Sequence, residues 1–422
     1  MIAPPEVDIR AGMELYASST PPCRARIKAS PEDFKVEESL GGLEIEPADG
    51  PSLLPLYRVE KRGVDTFHLQ FELANALKSR VSFAGLKDKR TVSVQYATPT
   101  STRAGRPPMV ERSGFRAELV GYVRRPLSKG MAAGNRFELV LRDCCPEVEK
   151  RIDEAYDMAA GGLLPNFYGL QRFGASGALT HRIGREIVRR RFEEAVRILL
   201  CEPRANDDAE ASEAREAMSR GRYLEGLKLL PPGQDVERLA ARRMSEKPGD
   251  WIGALRAVQI GLRKLYVQAY QSYIFNRALG LAMSRGHSIS AVQNGDNWGE
   301  VSADGLVLTK VHGVREPQTS GAVPLFQLVG YAYRNYGSRF DSCIEEAMGA
   351  EEVSARDFFV KEIQEVSVEG GFRRPHMVAR DLAREVEGDV AHVSFVLSKG
   401  EYATILLREV VKPTDPYAQG FA

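Results

Sequence analysis

Apolar and polar positions alternate in three stretches of the first third of the chain: "TVSVQY" (91–96), "FRAELV" (115–120) and "RFELVLRD" (136–143). A period of two predicts a β-strand for each. In the first, Val92, Val94 and Tyr96 alternate with Ser93 and Gln95. The other two flank the Gly/Asn-rich "LSKGMAAGN", which suits tight turns, so they are expected as neighbours in one sheet. "VSFAG" reads as a short buried strand, and "CRARIKASPEDFKVEE" as a strand, a Ser-Pro turn and a second short strand.

The helical period appears between and after these runs. "VDTFHLQFELANALKSR" predicts a helix capped by Asp65 or Thr66, with Phe67, Phe71, Ala74 and Leu77 at helical spacing. Pro146 opens another, in which Val148, Ile152, Ala155 and Ala159 share a face and Gly161-Gly162 ends it. "THRIGREIVRRRFEEAVRILL" predicts one helix with Ile183, Ile187 and Leu199 inward and Arg182, Arg185 and Arg189 outward. "RAVQIGLRKLYVQAYQSYIFNRALGLAMSRG" is a longer helical pattern, broken by Gly261 and ended by Gly286. After short strands in "GDNWGEVSADGLVLTKVHG", the chain finishes on "VAHVSFVLSKGEYATILLREVV", read as two strands across a Lys-Gly turn. The fold class is α+β, and a strand-rich start and end around a helix-rich middle suggest one domain inserted into another.

Composition narrows the function. With 422 residues and 43% hydrophobic content the chain can form two or three domains. No apolar run reaches the length of a membrane span and no basic leader precedes an apolar stretch, so a cytoplasmic protein without a membrane partner is expected. Five cysteines lack a CxxC pair, and adjacent Cys144 and Cys145 make a poor disulfide framework. Six scattered histidines without HExxH point to a mechanism with no metal and no cofactor. The net charge is only +1, yet residues 102–192 hold 17 Arg and Lys against 10 Asp and Glu, while 202–216 hold six acids and two arginines. One face could therefore meet nucleic acid, with 202–216 as an acidic surface excursion.

Two stretches carry candidate chemistry. In "FAGLKDKRTVSVQ", Asp88 lies between Lys87 and Lys89 in a loop between strands, where a sheet can aim it at a ligand, although a solvated turn has the same composition. "PNFYGLQRFG" (165–174) has neither a helical nor a strand period. Its aromatic, amide and guanidinium groups suit core packing or the stacking and edge recognition of splayed-out bases.

These two, with "KASPEDFKVEE", "QAYQSYIFN" and "GEYATILLRE", follow the order found in the TruD family of tRNA pseudouridine synthases, which the chain resembles over nearly its whole length. Asn-Phe-Tyr-Gly is more similar to archaeal and eukaryotic members than to bacterial ones. The resemblance implies a pseudouridine-synthase catalytic domain with a mixed, mostly antiparallel sheet, interrupted by an α/β insertion domain; the expected division is 1–185, 186–368 (insertion) and 369–422.

It also implies that Asp88 is the catalytic carboxylate, acting on C1′ of a uridine in tRNA, usually uridine 13, by addition or by proton removal. Lys87 and Lys89 would keep it ionised against desolvation. The target nucleotide must flip out of its stack. Tyr168 is the implied platform for the base, Asn166 a loop or base contact, and Phe34 another pocket wall. Lys28 would pair with Asp88 or contact phosphate, though an exposed strand lysine fits the same pattern. Gln171, Arg172 and Phe173 carry over less directly, and at least one is expected to be structural. Tyr270 and Phe275 are expected in a helix core. Arg182, Arg185, Arg189, Arg190 and Arg191 suit phosphate contacts or a solvated helix face. "FRRPHMVARD" (372–381) could face the cleft. A monomer is expected. A non-catalytic RNA-binding protein is one rival; a glycoside or nucleoside hydrolase is another, but no second carboxylate marks a general acid.

Overall fold

The computed structural model describes residues 2–64, 66–85, 87, 91–128, 131–174, 177–204, 207–301, 307–312 and 321–422. Its main element is a sheet with nine strands among the described residues. The strands are β1 (Phe34–Leu40), β2 (Leu54–Arg62), β3 (Val81–Phe83), β4 (Val92–Pro99), β5 (Met109–Arg112), β6 (Phe115–Val123) and β7 (Ala132–Leu141), then β13 (Ala379–Glu387) and β14 (Val390–Ser398) from the far end of the chain. Their order is β13-β14-β7-β1-β4-β2-β6-β5, with β3 also paired to β4. β1 and β4 run parallel and the other pairs antiparallel. The expected mixed, mostly antiparallel sheet is therefore present.

Three local expectations are corrected. β6 and β7 share the sheet but are separated by β2, β4 and β1. Each run satisfies the period of a strand, and alternation carries no information on which neighbour it chooses. The final segment is β14 followed by helix α12 (Ala403–Val411), while the partner of β14 is β13. Ala403 through Val411 are all buried, and a short run buried all round has no period to separate strand from helix. In α2 (Thr66–Leu77), Leu69, Leu73 and Leu77 are buried whereas Phe71 is 63% exposed. The leucines share the same four-residue spacing as Phe67 and Phe71, so periodicity alone offered two faces.

The other helices are α1 (Glu6–Arg10), α3 (Val148–Ala160), α4 (Thr180–Val188), α5 (Phe192–Cys201), α6 (Ala209–Ser219), α7 (Tyr223–Leu229), α8 (Asp235–Glu246), α9 (Trp251–Ala257), α10 (Ile260–Ser284) and α11 (Asp341–Ala350). α3 buries Val148, Ile152, Ala155 and Ala159, as its spacing predicts. The arginine-rich segment is two helices rather than one, broken at Arg190 (φ +59°). The acidic stretch is not a surface excursion. Asp208 caps α6, whose Ala211, Ala214, Ala217 and Met218 are buried, and Asp207 pairs with buried Arg215 at 2.7 Å. Short strands β8 (Trp298–Val301), β9 (Val307–His312) and β10 (Ala322–Pro324) form a second sheet, and β11 (Phe326–Leu328) pairs with β12 (Gly371–Arg373).

A disulfide joins Cys23 to Cys145, against the expectation of none. The partner of Cys145 is remote in sequence, not its neighbour. Bonds from Arg26 N–H to Arg142 O and from Cys145 N–H to Arg24 O lay the two segments side by side. The same N-terminal segment clasps α12: Glu409 accepts from the backbone of Ala17 and Ser18, Asp8 pairs with Arg408, and Lys412 reaches Ser18 Oγ at 2.6 Å.

One face of the sheet bears two apolar clusters. Phe34, Val36, Phe137, Leu139, Val393, Phe395 and Leu397 join the large core with α3 and α12. Tyr57, Val59, Ala97, Phe115 and Ala117 pack with Leu69, Leu73 and Leu77 of α2 in a second. Register puts both on the same side, with Val36 beside Ser93 and Ser93 beside Lys61.

Candidate active site

Between the two apolar clusters this face turns polar. Asn135 of β7 lies opposite Glu38 of β1, Gln95 of β4 opposite Val59 of β2, and Ser93 opposite Lys61. Glu38, Ser93, Gln95 and Lys61 are all at most 2% exposed. A strip of buried polar groups across the middle of a sheet is costly unless something uses it.

Part of the strip anchors the loop singled out by sequence. Lys87 Nζ lies 3.2 Å from Glu38 Oε1 and donates to Asn135 Oδ1 at 2.7 Å. Glu38 Oε2 accepts the Tyr96 N–H at 3.3 Å. The Thr66 hydroxyl, at the start of α2, donates to the Lys87 carbonyl at 3.2 Å and accepts its N–H at 3.3 Å. A Cβ at Gly85 would fall 2.9 Å from Glu38 Oε1, so any larger residue there would have to displace that carboxylate. Lys87 is thus tied by backbone and side chain to β1, β7 and α2, and its charge is already met by Glu38. Asp88 and Lys89 lie outside the described residues. Ser93 Oγ and both carboxamide atoms of Gln95 have no hydrogen-bond partner among the described residues.

The loop 165–174 forms the second part. Leu164 through Asn166 run beside Pro375–Met377, bonded through Asn166 N–H to Pro375 O and Met377 N–H to Leu164 O. Of residues 164–170, only Tyr168 keeps appreciable exposure. Asn276 of α10 brackets its backbone, accepting from Tyr168 N–H at 2.8 Å and donating to Tyr168 O at 3.0 Å. Phe275 and Tyr402 meet the Tyr168 ring edge-on at 5.4 and 6.2 Å. The Arg373 guanidinium lies 4.0 Å from its centroid.

The remaining sequence candidates divide plainly. Asn166 is buried, its Nδ2 donating to Arg374 O and its Oδ1 accepting from Arg373. Gln171 ties the C-terminus and α12, through Phe421 O and Thr404 Oγ1. Phe173 is fully buried against His181. Arg172 bonds Ser272 and Gln268 of α10 and stays half-buried near the Tyr168 ring. Phe34 is 6% exposed and packs edge-on against Phe137. Lys28, with φ +54°, holds its ammonium 4.9 Å over Phe34. Tyr270 and Phe275 are buried, as expected.

The arginines of α4 and its break have partners within the chain. Arg182 pairs with Glu202 at 2.6 Å, Arg185 with Glu186 at 2.7 Å, and Arg190 bonds the carbonyls of Asp357 and Phe359. Sequence reasoning missed Glu38, Asn135, Tyr402 and Arg373 as members of these two groups. Tyr402 and Arg373 stood in quoted motifs, but only the fold brings them to Tyr168.

Comparison with known proteins agrees with this build. The family model for "tRNA pseudouridine synthase D (TruD)" matches residues 10–410. "Probable tRNA pseudouridine synthase D" of Pyrobaculum arsenaticum is 33% identical, with 99% of each chain covered. The protein of the same name from Pyrobaculum neutrophilum is 34% identical over the whole of both chains. A crystal structure of a TruD candidate from Methanosarcina mazei superposes with a TM-score of 0.78 at 25% identity, covering 99% of this chain and 100% of that one. Fold and sequence together define an RNA pseudouridine synthase, an isomerase. Within that class, the chain belongs to the tRNA pseudouridine synthase D family.

Proposed function

We propose that the chain converts a uridine of tRNA, uridine 13 of the D arm, to pseudouridine, with Asp88 as the essential carboxylate and no cofactor. The observation that carries the reading is the anchoring of Lys87, one residue before Asp88, to Glu38, Asn135 and Thr66 beside a buried polar strip. A carboxylate carried next to so firmly held a residue can be aimed at one atom of a bound nucleotide.

The nucleotide flips from its stack and its base lies against Tyr168. Stacking on an aromatic ring contributes on the order of 1–3 kcal/mol, which offsets part of the unstacking cost. The C1′–N1 bond breaks with its electron pair passing to the base. Asp88 either bonds C1′ or takes a sugar proton, and both routes leave a detached base that turns within the pocket. C5 then bonds C1′ as the Asp88–C1′ bond breaks on the first route, or as Asp88 returns the sugar proton on the second, and the proton on C5 is lost as one returns to N1, so the product is an isomer of the substrate. Lys28, Phe34, Asn166 and Arg172 border the nucleotide in this reading, and Lys89 helps to keep Asp88 ionised. Lys87, Gln171 and Phe173 serve through position. Residues 186–368 form the insertion domain, tRNA is held between it and the catalytic domain, and the protein acts as a cytoplasmic monomer.

Tritium release from tRNA transcripts carrying [5-³H]uridine tests the reaction. Wild type releases tritium and Asp88→Asn does not while retaining its fold and tRNA binding. Equal release from both would remove Asp88 from the chemistry. Carbodiimide mapping of the product locates the modified uridine.

A further inference from the structure

Arg373 closes β12, and its side chain crosses to two other segments. Its Nε and Nη2 donate to Asn166 O at 3.1 and 3.0 Å, and Nη2 also reaches Asn166 Oδ1 at 2.6 Å and Gly400 O at 2.7 Å. Gly400 has φ +84°, a conformation that favours glycine, and a Cβ there would lie a tight 3.2 Å from Arg373 Nη1. All four contacts are to neutral oxygens, and no carboxylate among the described residues pairs with this arginine. Its plane lies over Tyr168 at 4.0 Å and, further off, over Phe275 at 5.5 Å.

This is more than a helix-end tie. The three segments that the guanidinium joins are the 165–174 loop, the turn before Tyr402 and the strand leading back to the sheet. Tyr168 takes backbone support from Asn276 and edge contacts from Phe275 and Tyr402, but a cation over its face from Arg373 at 4.0 Å, with the Arg172 guanidinium further off at 5.9 Å. One face of the ring is therefore occupied. A planar, always charged fork can hold several oxygens and a ring together, whereas a lysine ammonium cannot.

Resting on the reading of Tyr168 as the base platform, we propose that Arg373 is a positioning residue of the isomerisation. It fixes the tilt of the Tyr168 ring and leaves a single face for the uracil. A detached base must turn and present C5 to C1′, so a platform free to rock would lose the base from its reactive geometry without weakening the grip on the rest of the tRNA.

The test uses the full-length protein and compares wild type, Arg373→Ala, Arg373→Lys, Tyr168→Leu and the Tyr168→Leu/Arg373→Ala double variant. Single-turnover tritium release and tRNA Kd are measured well below each variant's melting temperature, with folding checked by circular dichroism. Both Arg373 variants are expected to slow release by about 10- to 100-fold, the scale of an ångström misplacement. Their tRNA Kd should stay within about twofold of wild type. In the Tyr168→Leu background, the arginine substitution should cost no more than about a further twofold, because coupled residues are not additive. Wild-type rates for Arg373→Lys, fully additive losses, or a collapse of tRNA binding with an intact rate would each overturn the proposal. A fully active Tyr168→Leu would instead overturn the platform reading itself.

Discussion

Replacing Lys87 by Met separates the anchoring of the loop from the chemistry it carries. The Lys87 and Glu38 side chains are 9% and 0% exposed, and their charged atoms lie 3.2 Å apart. At an effective dielectric of about 20, a pair at that 3.2 Å separation attracts by roughly 5 kcal/mol. Much of that attraction offsets the cost of taking both charges out of water. Lys87→Met removes the attraction and leaves the cost of Glu38, so a loss of about 3–5 kcal/mol is expected in urea unfolding. Adding Glu38→Leu removes the stranded carboxylate and should recover most of that loss. Activity should not recover with it. The double variant still lacks the side-chain link from the loop to Asn135, so tritium release from [5-³H]uridine tRNA should remain slow while tRNA binding persists. A single variant within about 0.5 kcal/mol of wild type would mean that the pair is solvated and contributes as little as a surface salt bridge. A fully active double variant would refute the anchoring argument.

Other perturbations probe the rest of the framework. Burial, with Arg185 and Arg182 nearby, holds His181 down at about 3, and burial with Arg374 holds His376 at about 4. Both bind protons more readily unfolded, so the stability they contribute is present above pH ~6.5 and is lost as pH falls towards 4 to 3; urea midpoints should drop over that window, and His181→Phe should flatten the slope. Cys23→Ala opens a loop spanning 122 residues, for which the chain-entropy account gives about 4–5 kcal/mol, and wild type should lose similar stability under reductant. Thiol titration of the unfolded, unreduced protein should find three free cysteines, Cys144, Cys201 and Cys343. On α2, Leu73→Ala should cost about 2–5 kcal/mol whereas Phe71→Ser should change melting little; the reverse order would restore the face suggested by the phenylalanines.

Strands and the α3 face were legible because a period of two or of 3.6 records which side of an element meets the core. Neighbour choice is not written that way, and β6 and β7 each carry the same alternation wherever they sit. The run 403–411 is buried on every side, Arg408 and Glu409 included, and so has no period of exposure to read. Five arginines in a cluster looked available to phosphate, yet partners as distant as Glu202, Asp357 and Phe359 already engage Arg182 and Arg190, while the Arg191 side chain stays 60% exposed. Asp88 stood out as a carboxylate between two lysines, and residues 165–174 stood out because their composition fits neither period. Glu38, Ser93, Gln95 and Asn135 are ordinary residues in ordinary strands. They become a polar strip only through register, and nothing in the alternation of β4 tells that Ser93 and Gln95, rather than Val92 and Tyr96, face inward.

The clasp between the N-terminal segment and α12 has a consequence for biosynthesis. Ala17 leaves the ribosome early, but Glu409, which accepts its N–H, follows 392 positions later. At about 5–20 residues per second the first segment waits roughly 20 to 80 s for its partner. Strands β13 and β14, which extend the sheet beyond β7, are also translated after the whole helical region. The sheet and the clasp therefore close only once residues 379–412 have emerged, and a chaperone that shields residues 6–27 and the open edge of β7 until then would raise the yield of folded protein.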